Sequence, residues 1–144
     1  MVLWALMMPY TISWYNDEHS ILVVDIRGEV SWEAWHNTVD QVGRQIQTVN
    51  HRVDLIIDDH MGMPKGNPLP HLRQTLEALN RIENLDMIIA TGLQRSTAVV
   101  AAMNDIASRL IQSEMKENHY LDTLEDALKL IRQHRVGNNT ASTR

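Results

Sequence analysis

Three short apolar runs constrain the fold of this chain most, because each is followed by an amphipathic helical pattern. The runs are residues 21–26, 53–57 and 85–91. Continuous apolar strands of this length are typical of a sheet that is covered on both faces. Between the runs, apolar residues recur at intervals of three and four, which predicts helices. The alternation therefore predicts an α/β fold built on a mixed, mostly parallel sheet.

A β-hairpin is predicted before the first helix. Residues 11–15 alternate between polar and apolar side chains, and residues 16–20 carry turn-forming side chains before the first apolar run. Ser31 precedes a helical pattern and is a predicted N-cap. The apolar stripe of this first helix consists of Trp32, Trp35, Val39, Val42, Ile46 and Val49.

The rest of the chain continues the alternation of strands and helices. The remaining elements are a helix with Leu72, Leu76, Leu79 and Ile82 on one face, a helix over 96–115, a strand over 119–121 and a helix over 124–134. The order β-β-α-β-α-β-α-β-α predicts about five strands in one domain over residues 9–136. Residues 1–8 form an apolar N-terminal extension in this interpretation, and the polar residues 137–144 form a disordered tail.

Composition excludes several classes of function. The chain has 144 residues and no cysteine, which excludes a cysteine nucleophile, thiolate metal sites and disulfides. Its net charge of −5 disfavours nucleic acid as a general partner. The first eight residues are apolar but too few to span a membrane, and they lack the basic start of a signal peptide. We therefore expect a cytoplasmic protein with no membrane span.

The element order resembles the STAS domain (sulfate transporter and anti-sigma factor antagonist), in particular its SpoIIAA-like branch. The resemblance is carried by residues 21–32, 53–58 and 119–128. It implies a STAS-like fold and a regulatory module that binds a protein partner. In the anti-sigma antagonists a phosphorylatable serine follows the central strand. Residues 58–74 here contain neither Ser nor Thr, and the first hydroxyl is that of Thr75, so this switch is not expected.

The loop after the second apolar run contains the first candidate site. Asp58, Asp59 and His60 are consecutive, and two carboxylates beside an imidazole suit a divalent metal or acid–base catalysis. Consecutive side chains in an extended segment alternate in direction, so solvated charges at a strand end are the simpler interpretation. Met61 and Met63 lie in the same Pro- and Gly-rich loop and predict an adaptable contact surface.

The loop after the third run contains the second candidate site. Thr91 and Gly92 are followed by Arg95 and Ser96 at the predicted start of a helix. Free backbone amides, hydroxyls and a cation at such a place can hold an anion. Ser96 also suits a simple helix cap, which needs no ligand.

These observations favour a non-enzymatic regulatory or protein-interaction module that uses the loop over residues 58–70. The alternative is a domain that binds a small lipid-like or anionic ligand, and a metal-dependent hydrolase or transferase using Asp58, Asp59 and His60 comes third. No cofactor is expected. An apolar helix face or residues 1–8 would be the surfaces of a homodimer.

Trp32 and Trp35 fit the core stripe better than a ligand cage.

Overall fold

A mixed five-stranded sheet forms the centre of the protein. The computed structural model describes residues 9–61, 64–92, 100–102, 104–106 and 116–142, with side chains as far as residue 137. The strands are β1 (Tyr10–Trp14), β2 (Ile21–Ile26), β3 (Val53–Asp59), β4 (Leu85–Thr91) and β5 (Glu117–Leu121). They are neighbours in chain order, with β1 antiparallel to β2 and the other three pairs parallel. The predicted α/β class is therefore confirmed, with a mixed sheet.

Three helices are described from end to end. They are α1 (Trp32–Ile46), α2 (Leu69–Asn80) and α3 (Leu124–Ser142). Residues 100–102 and 104–106, which fall in the third predicted helix, are also helical, and Ile106 is buried as predicted. The other inward residues predicted for that helix, Val99, Met103 and Leu110, lie outside the described residues.

The predicted hairpin is confirmed. Tyr10 of β1 is paired with Ile26 of β2, and Trp14 is paired with Leu22. His19 lies in the turn with a positive φ of 55°, and its ring stacks on Trp14 with the centroids 4.7 Å apart. The stack stabilises a backbone conformation that a residue other than glycine seldom adopts.

Helices α1 and α2 cover one face of the sheet. Ser31 caps α1 as predicted, since its hydroxyl accepts a hydrogen bond from the Ala34 N–H at 3.1 Å. The buried residues of this layer are Trp35, Val39, Val42, Ile46, Leu79 and Ile82 from the helical side, against Leu22, Val24, Ile26, Val53, Leu55, Ile57, Leu85 and Ile88 from the strands. In β2 and β3 alternate residues face these helices, as the period of a strand requires. In β4 the two residues are three positions apart, because its register against β3 shifts between Val53 and Leu55.

Helix α3 covers the other face. Ala127 and Ile131 are fully buried there. Their neighbours in the same cluster are Ile21, Val23, Ile56, Met87 and Ile89. Because both faces are covered, the central strands are apolar along most of their length, which is the pattern that predicted them.

An ion pair fixes α3 at the amino edge of the sheet. Arg135 Nη2 lies 2.9 Å from Asp54 Oδ2, and the Asp54 side chain is only 3% exposed. Arg135 also donates to the Ser20 carbonyl oxygen at 2.9 Å and to the Ser20 hydroxyl at 3.0 Å. The Met87 N–H donates to Asp54 Oδ1 at 3.1 Å. Burial raises the pKa of Asp54 above its ordinary value, while Arg135 acts in the opposite direction.

Several element ends differ from the predictions. Strand β1 covers Tyr10–Trp14 rather than residues 11–15. Strand β3 continues to Asp59 rather than ending at residue 57, so Asp58 and Asp59 are buried within the strand and are not solvated charges after it. Strand β5 begins at Glu117 rather than at residue 119. Helix α3 continues to Ser142 rather than ending near residue 134, so it includes residues 137–142 that the composition assigned to a disordered tail. Gly137 does not adopt a positive φ and therefore does not terminate the helix. Within the described residues, no helix combines the length and the apolar character needed to cross a bilayer.

Candidate functional site

Three polar side chains lie in register at the carboxyl edge of the sheet. Asp25 of β2 is paired with Asp58 of β3, and Asp58 is paired with Thr91 of β4. Residues paired across parallel strands project to the same face, so these side chains lie on the face that α3 covers. The Thr91 hydroxyl donates to Asp58 Oδ1 at 2.5 Å, which fixes the orientation of that carboxylate.

His60 contacts both carboxylates. Its Nε2 lies 3.0 Å from Asp58 Oδ2 and 3.2 Å from Asp25 Oδ1. The backbone N–H of His60 donates to the Ile26 carbonyl oxygen at 2.9 Å. The backbone of His60 therefore remains hydrogen-bonded to β2, although β3 ends at Asp59. We call Asp25, Asp58 and His60 the carboxyl-edge cluster.

The carboxyl-edge cluster is buried on one side and open on the other. The Asp58 side chain is 12% exposed, that of Asp25 28% and that of His60 41%. Arg27 Nε donates to Asp25 Oδ2 at 2.9 Å from an exposed guanidinium. Asp25 Oδ1 is buried and accepts no hydrogen bond from any described group, because the nearby His60 Nε2 does not have hydrogen-bond geometry toward it.

Asp59 is not part of the cluster. It follows Asp58 directly in β3, so its side chain lies on the opposite face of the strand, and its Oδ1 accepts a hydrogen bond from the Met61 N–H at 3.0 Å. The structure thus brings together two residues of the predicted trio and adds Asp25. The sequence does contain a signal for Asp25, because residues 22–25 (LVVD) and 55–58 (LIID) are the same pattern in two neighbouring parallel strands.

Gly92 gives the carboxyl edge its backbone geometry. Its φ is +90°, and a Cβ at this position would collide with the carbonyl oxygen of Asp59. The Gly92 N–H donates to the Leu121 carbonyl oxygen at 3.2 Å. Close approach of two backbones therefore requires glycine here. Arg95 and Ser96, the other members of the predicted anion site, lie outside the described residues.

An open cleft of about 660 Å³ lies between the loops that follow β2 and β3. Its lining residues are Glu29, Val30, Ser31, Trp32, Met61, Pro64 and Lys65. The Met61 side chain is among the exposed large hydrophobic groups, at 50%. Met63, the second methionine predicted for this surface, lies outside the described residues. The cleft thus combines apolar side chains with one carboxylate and one ammonium group.

The two tryptophans of α1 have different surroundings. Trp35 is 3% exposed and donates from Nε1 to the Thr75 hydroxyl at 2.8 Å, so its predicted core position is confirmed. Trp32 is partly exposed and lines the cleft, and its Nε1 donates to the Lys65 carbonyl oxygen at 3.0 Å. The Trp32 ring stacks on His71 with the centroids 4.4 Å apart. Trp32 therefore connects helix α2 to the loop after β3.

A histidine pair supports this wall of the cleft. His36 Nε2 of α1 lies 2.9 Å from His71 Nδ1 of α2, so one ring donates the hydrogen bond and the other accepts it. Burial, and secondarily the charge of His71, lowers the pKa of His36. The two residues are 35 positions apart in the chain, and no local pattern indicates their contact.

Thr75, the first hydroxyl after the central strand, is buried at 4% exposure. Its hydroxyl donates to the His71 carbonyl oxygen at 2.8 Å and accepts the hydrogen bond of Trp35. The first hydrogen bond lies within α2, and the second joins α1 to α2. A phosphoryl group could not be added there without breaking these contacts.

Comparisons with protein-family models, with curated proteins and with solved structures find no match to this chain. What can be inferred about function therefore depends on the geometry of the cleft and of the carboxyl-edge cluster. These two features lie on the loops and strand ends at one edge of the sheet. In open α/β sheets, ligands bind outside the carboxyl ends of the strands.

Proposed function

We propose that this chain is a binding module without catalytic activity of its own, which recognises a protein partner through the cleft between the loops after β2 and β3. The observation that carries the proposal is an open cleft lined by the exposed Met61 and the partly exposed Trp32. Tryptophan and methionine are enriched at protein interfaces, where they supply large contact areas.

The polar residues of the cleft indicate what kind of partner it suits. Glu29 and Lys65 stand beside the apolar lining with opposite charges. A peptide segment with one large apolar side chain and flanking charges would match both features. The Trp32 hydrogen bond to the Lys65 carbonyl oxygen orders this wall in advance, which lowers the entropic cost of binding.

A STAS-like regulatory module is the specific form of this proposal. Its support is the order of elements: a hairpin, a central parallel strand, and a last short strand followed by a helix. The buried hydroxyl of Thr75 supports regulation by a route other than phosphorylation after the central strand. The loop that follows β3 then serves as the contact surface, with Met61 as its apolar anchor.

A small ligand is the second candidate occupant, because the volume of about 660 Å³ falls within the range of small-molecule pockets. Lys65 would contact an anionic head group, and Val30, Trp32 and Pro64 would contact an apolar chain. Mass spectrometry of an organic extract of the purified protein tests this candidate. A molecule recovered from the wild type but depleted in Met61→Glu protein would favour it over a protein partner.

The test of the protein partner uses a photo-crosslinking amino acid at position 61 and, as the control, at position 15. Met61 and Tyr15 are similarly exposed, at 50% and 53%, but Tyr15 lies in the hairpin connection between β1 and β2. We expect a crosslinked protein from position 61 only. The purified partner should then bind Met61→Glu at least about tenfold more weakly than Tyr15→Glu, which corresponds to about 1.4 kcal/mol. Equal crosslinking from both positions, or equal affinity of both variants, would contradict the proposal.

A further inference from the structure

We propose that Asp25, Asp58 and His60 bind one divalent transition-metal ion, with Zn²⁺ and Mn²⁺ as the ions that suit this set of ligands. One imidazole nitrogen and two carboxylate oxygens are the donors that such ions take from proteins. The site is separate from the cleft and does not depend on what the cleft binds.

The distances suit a single coordination sphere. The nitrogen and oxygen ligands of these ions lie roughly 2.0–2.2 Å from the metal, so neighbouring ligand atoms are roughly 3.0–3.5 Å apart. His60 Nε2 lies 3.0 Å from Asp58 Oδ2 and 3.2 Å from Asp25 Oδ1. All three ligand atoms lie within 4.8 Å of one another, and opposite ligands of an octahedral site are roughly 4.0–4.4 Å apart.

One oxygen of each carboxylate already accepts a hydrogen bond from a group outside the cluster. Asp58 Oδ1 accepts from the Thr91 hydroxyl, and Asp25 Oδ2 accepts from Arg27. The oxygens left for an ion are Asp58 Oδ2 and Asp25 Oδ1, and these are the two that face His60. Orientation of the ligands by a second layer of hydrogen bonds is typical of protein metal sites.

Charge provides an independent argument. Asp25 Oδ1 is buried but accepts no hydrogen bond from any group in the described part of the chain. His60 Nε2 carries at most one hydrogen, and its hydrogen bond goes to Asp58. A divalent cation would neutralise both carboxylates and contact the unsatisfied oxygen directly. Because His60 is 41% exposed, water or a further ligand could complete the coordination.

The experiment is calorimetric titration of the chelator-treated full chain with MnCl₂ and with ZnCl₂. We expect one ion per chain. Asp25→Asn, Asp58→Asn and His60→Gln should each lower the affinity at least about tenfold. Thr91→Val keeps all three ligands but removes the hydroxyl that orients Asp58, and it should also lower the affinity by about tenfold.

Asp86→Asn is the matched control. Asp86 lies at the other end of the sheet, where it contacts Arg52 and His134, so its loss should leave the affinity unchanged. Thermal melts in chelator establish that every variant is folded, and Tyr15→Glu, which adds a carboxylate in the hairpin connection, should bind metal as the wild type does. The proposal is overturned if the folded wild type binds neither ion, if Asp25→Asn and His60→Gln bind with wild-type affinity, or if Asp86→Asn alone loses binding.

Discussion

Both edges of the sheet contain acidic side chains, but the two edges differ in how many of the carboxylate oxygens accept hydrogen bonds. At the amino edge, Asp54 accepts hydrogen bonds from Arg135 and from the Met87 N–H, so both of its oxygens have partners. At the carboxyl edge, Asp25 and Asp58 face the same histidine, and Asp25 Oδ1 has no hydrogen bond among the described groups.

This difference in hydrogen bonding distinguishes Asp54, whose contacts stabilise the fold, from Asp25, which keeps one carboxylate oxygen without a hydrogen bond among the described groups. Removing one partner of a buried ion pair costs several kcal/mol, because the remaining charge is left buried without compensation. A buried polar atom left without a hydrogen bond costs about 1–3 kcal/mol in the native state itself, so it is rare without a functional reason. The amino edge therefore attaches α3 to the sheet, while the carboxyl edge contains the cluster for which we propose a metal ion.

The largest effect should come from the backbone of the carboxyl edge. Gly92→Ala places a Cβ against the Asp59 carbonyl oxygen at a φ of +90°, so we expect a loss of about 4 kcal/mol of unfolding free energy. Gly66→Ala is the control, because its φ of +104° is equally unfavourable but no atom lies within 4 Å of the new Cβ. That variant should lose only about 1.5 kcal/mol. Equal losses in urea unfolding would mean that the close approach at Gly92 is unimportant.

The next effect tests the amino edge. Arg135→Met keeps most of the apolar stem but leaves Asp54 buried without its cation, so we expect a loss of about 3 kcal/mol at neutral pH. Arg52→Met is the control, because Arg52 is 71% exposed and its partner Asp86 is partly exposed. Its loss should stay below about 1 kcal/mol. Similar losses in the two variants, measured by urea unfolding, would contradict a specific role for the buried pair.

The stability lost in Arg135→Met should depend on pH. Burial raises the folded-state pKa of Asp54, and removal of Arg135 removes an influence that lowers it. The native carboxyl then binds a proton more readily than the unfolded one, so the cost of the buried charge is lost as the pH falls through the folded-state pKa. The difference between Arg135→Met and the wild type should therefore shrink between about pH 7 and about pH 4. A constant difference would mean that Asp54 is not the source of the destabilisation.

The local elements of the fold could be predicted because their signals are local. The alternation in residues 11–15 predicted the hairpin, and Ser31 before an apolar stripe predicted the start of α1. The predicted end of α3 was wrong because the small, polar and non-periodic residues 137–144 were interpreted as a disordered tail, whereas the helix continues through Gly137 to Ser142. Glycine ends a helix only when it adopts the left-handed conformation, and composition alone does not determine that.

The carboxyl-edge cluster was predicted only in part, because its third member comes from a distant strand. Asp58 and His60 are two residues apart, whereas Asp25 reaches them through the pairing of β2 with β3. The contact of His36 with His71 likewise depends on how α1 packs against α2. The apolar stripe treated Trp32 and Trp35 as equivalent, yet only Trp35 is fully buried, since the loop after β3 leaves Trp32 beside the cleft.

The smallest effect should come from the carboxyl-edge cluster. Asp25→Asn keeps the size of the side chain but removes one of two neighbouring negative charges and an oxygen that accepts no hydrogen bond among the described groups. The unfolding free energy in chelator should therefore change by no more than about 0.5 kcal/mol, in either direction. This neutrality is the counterpart of the large loss expected for Arg135→Met, because Asp54 is buried with its cation, whereas the cation beside Asp25, Arg27, is 70% exposed and an exposed ion pair contributes little. If Asp25→Asn lost as much stability as Arg135→Met in urea unfolding, the cluster would be a structural network like that of the amino edge, and the contrast between the two edges would not hold.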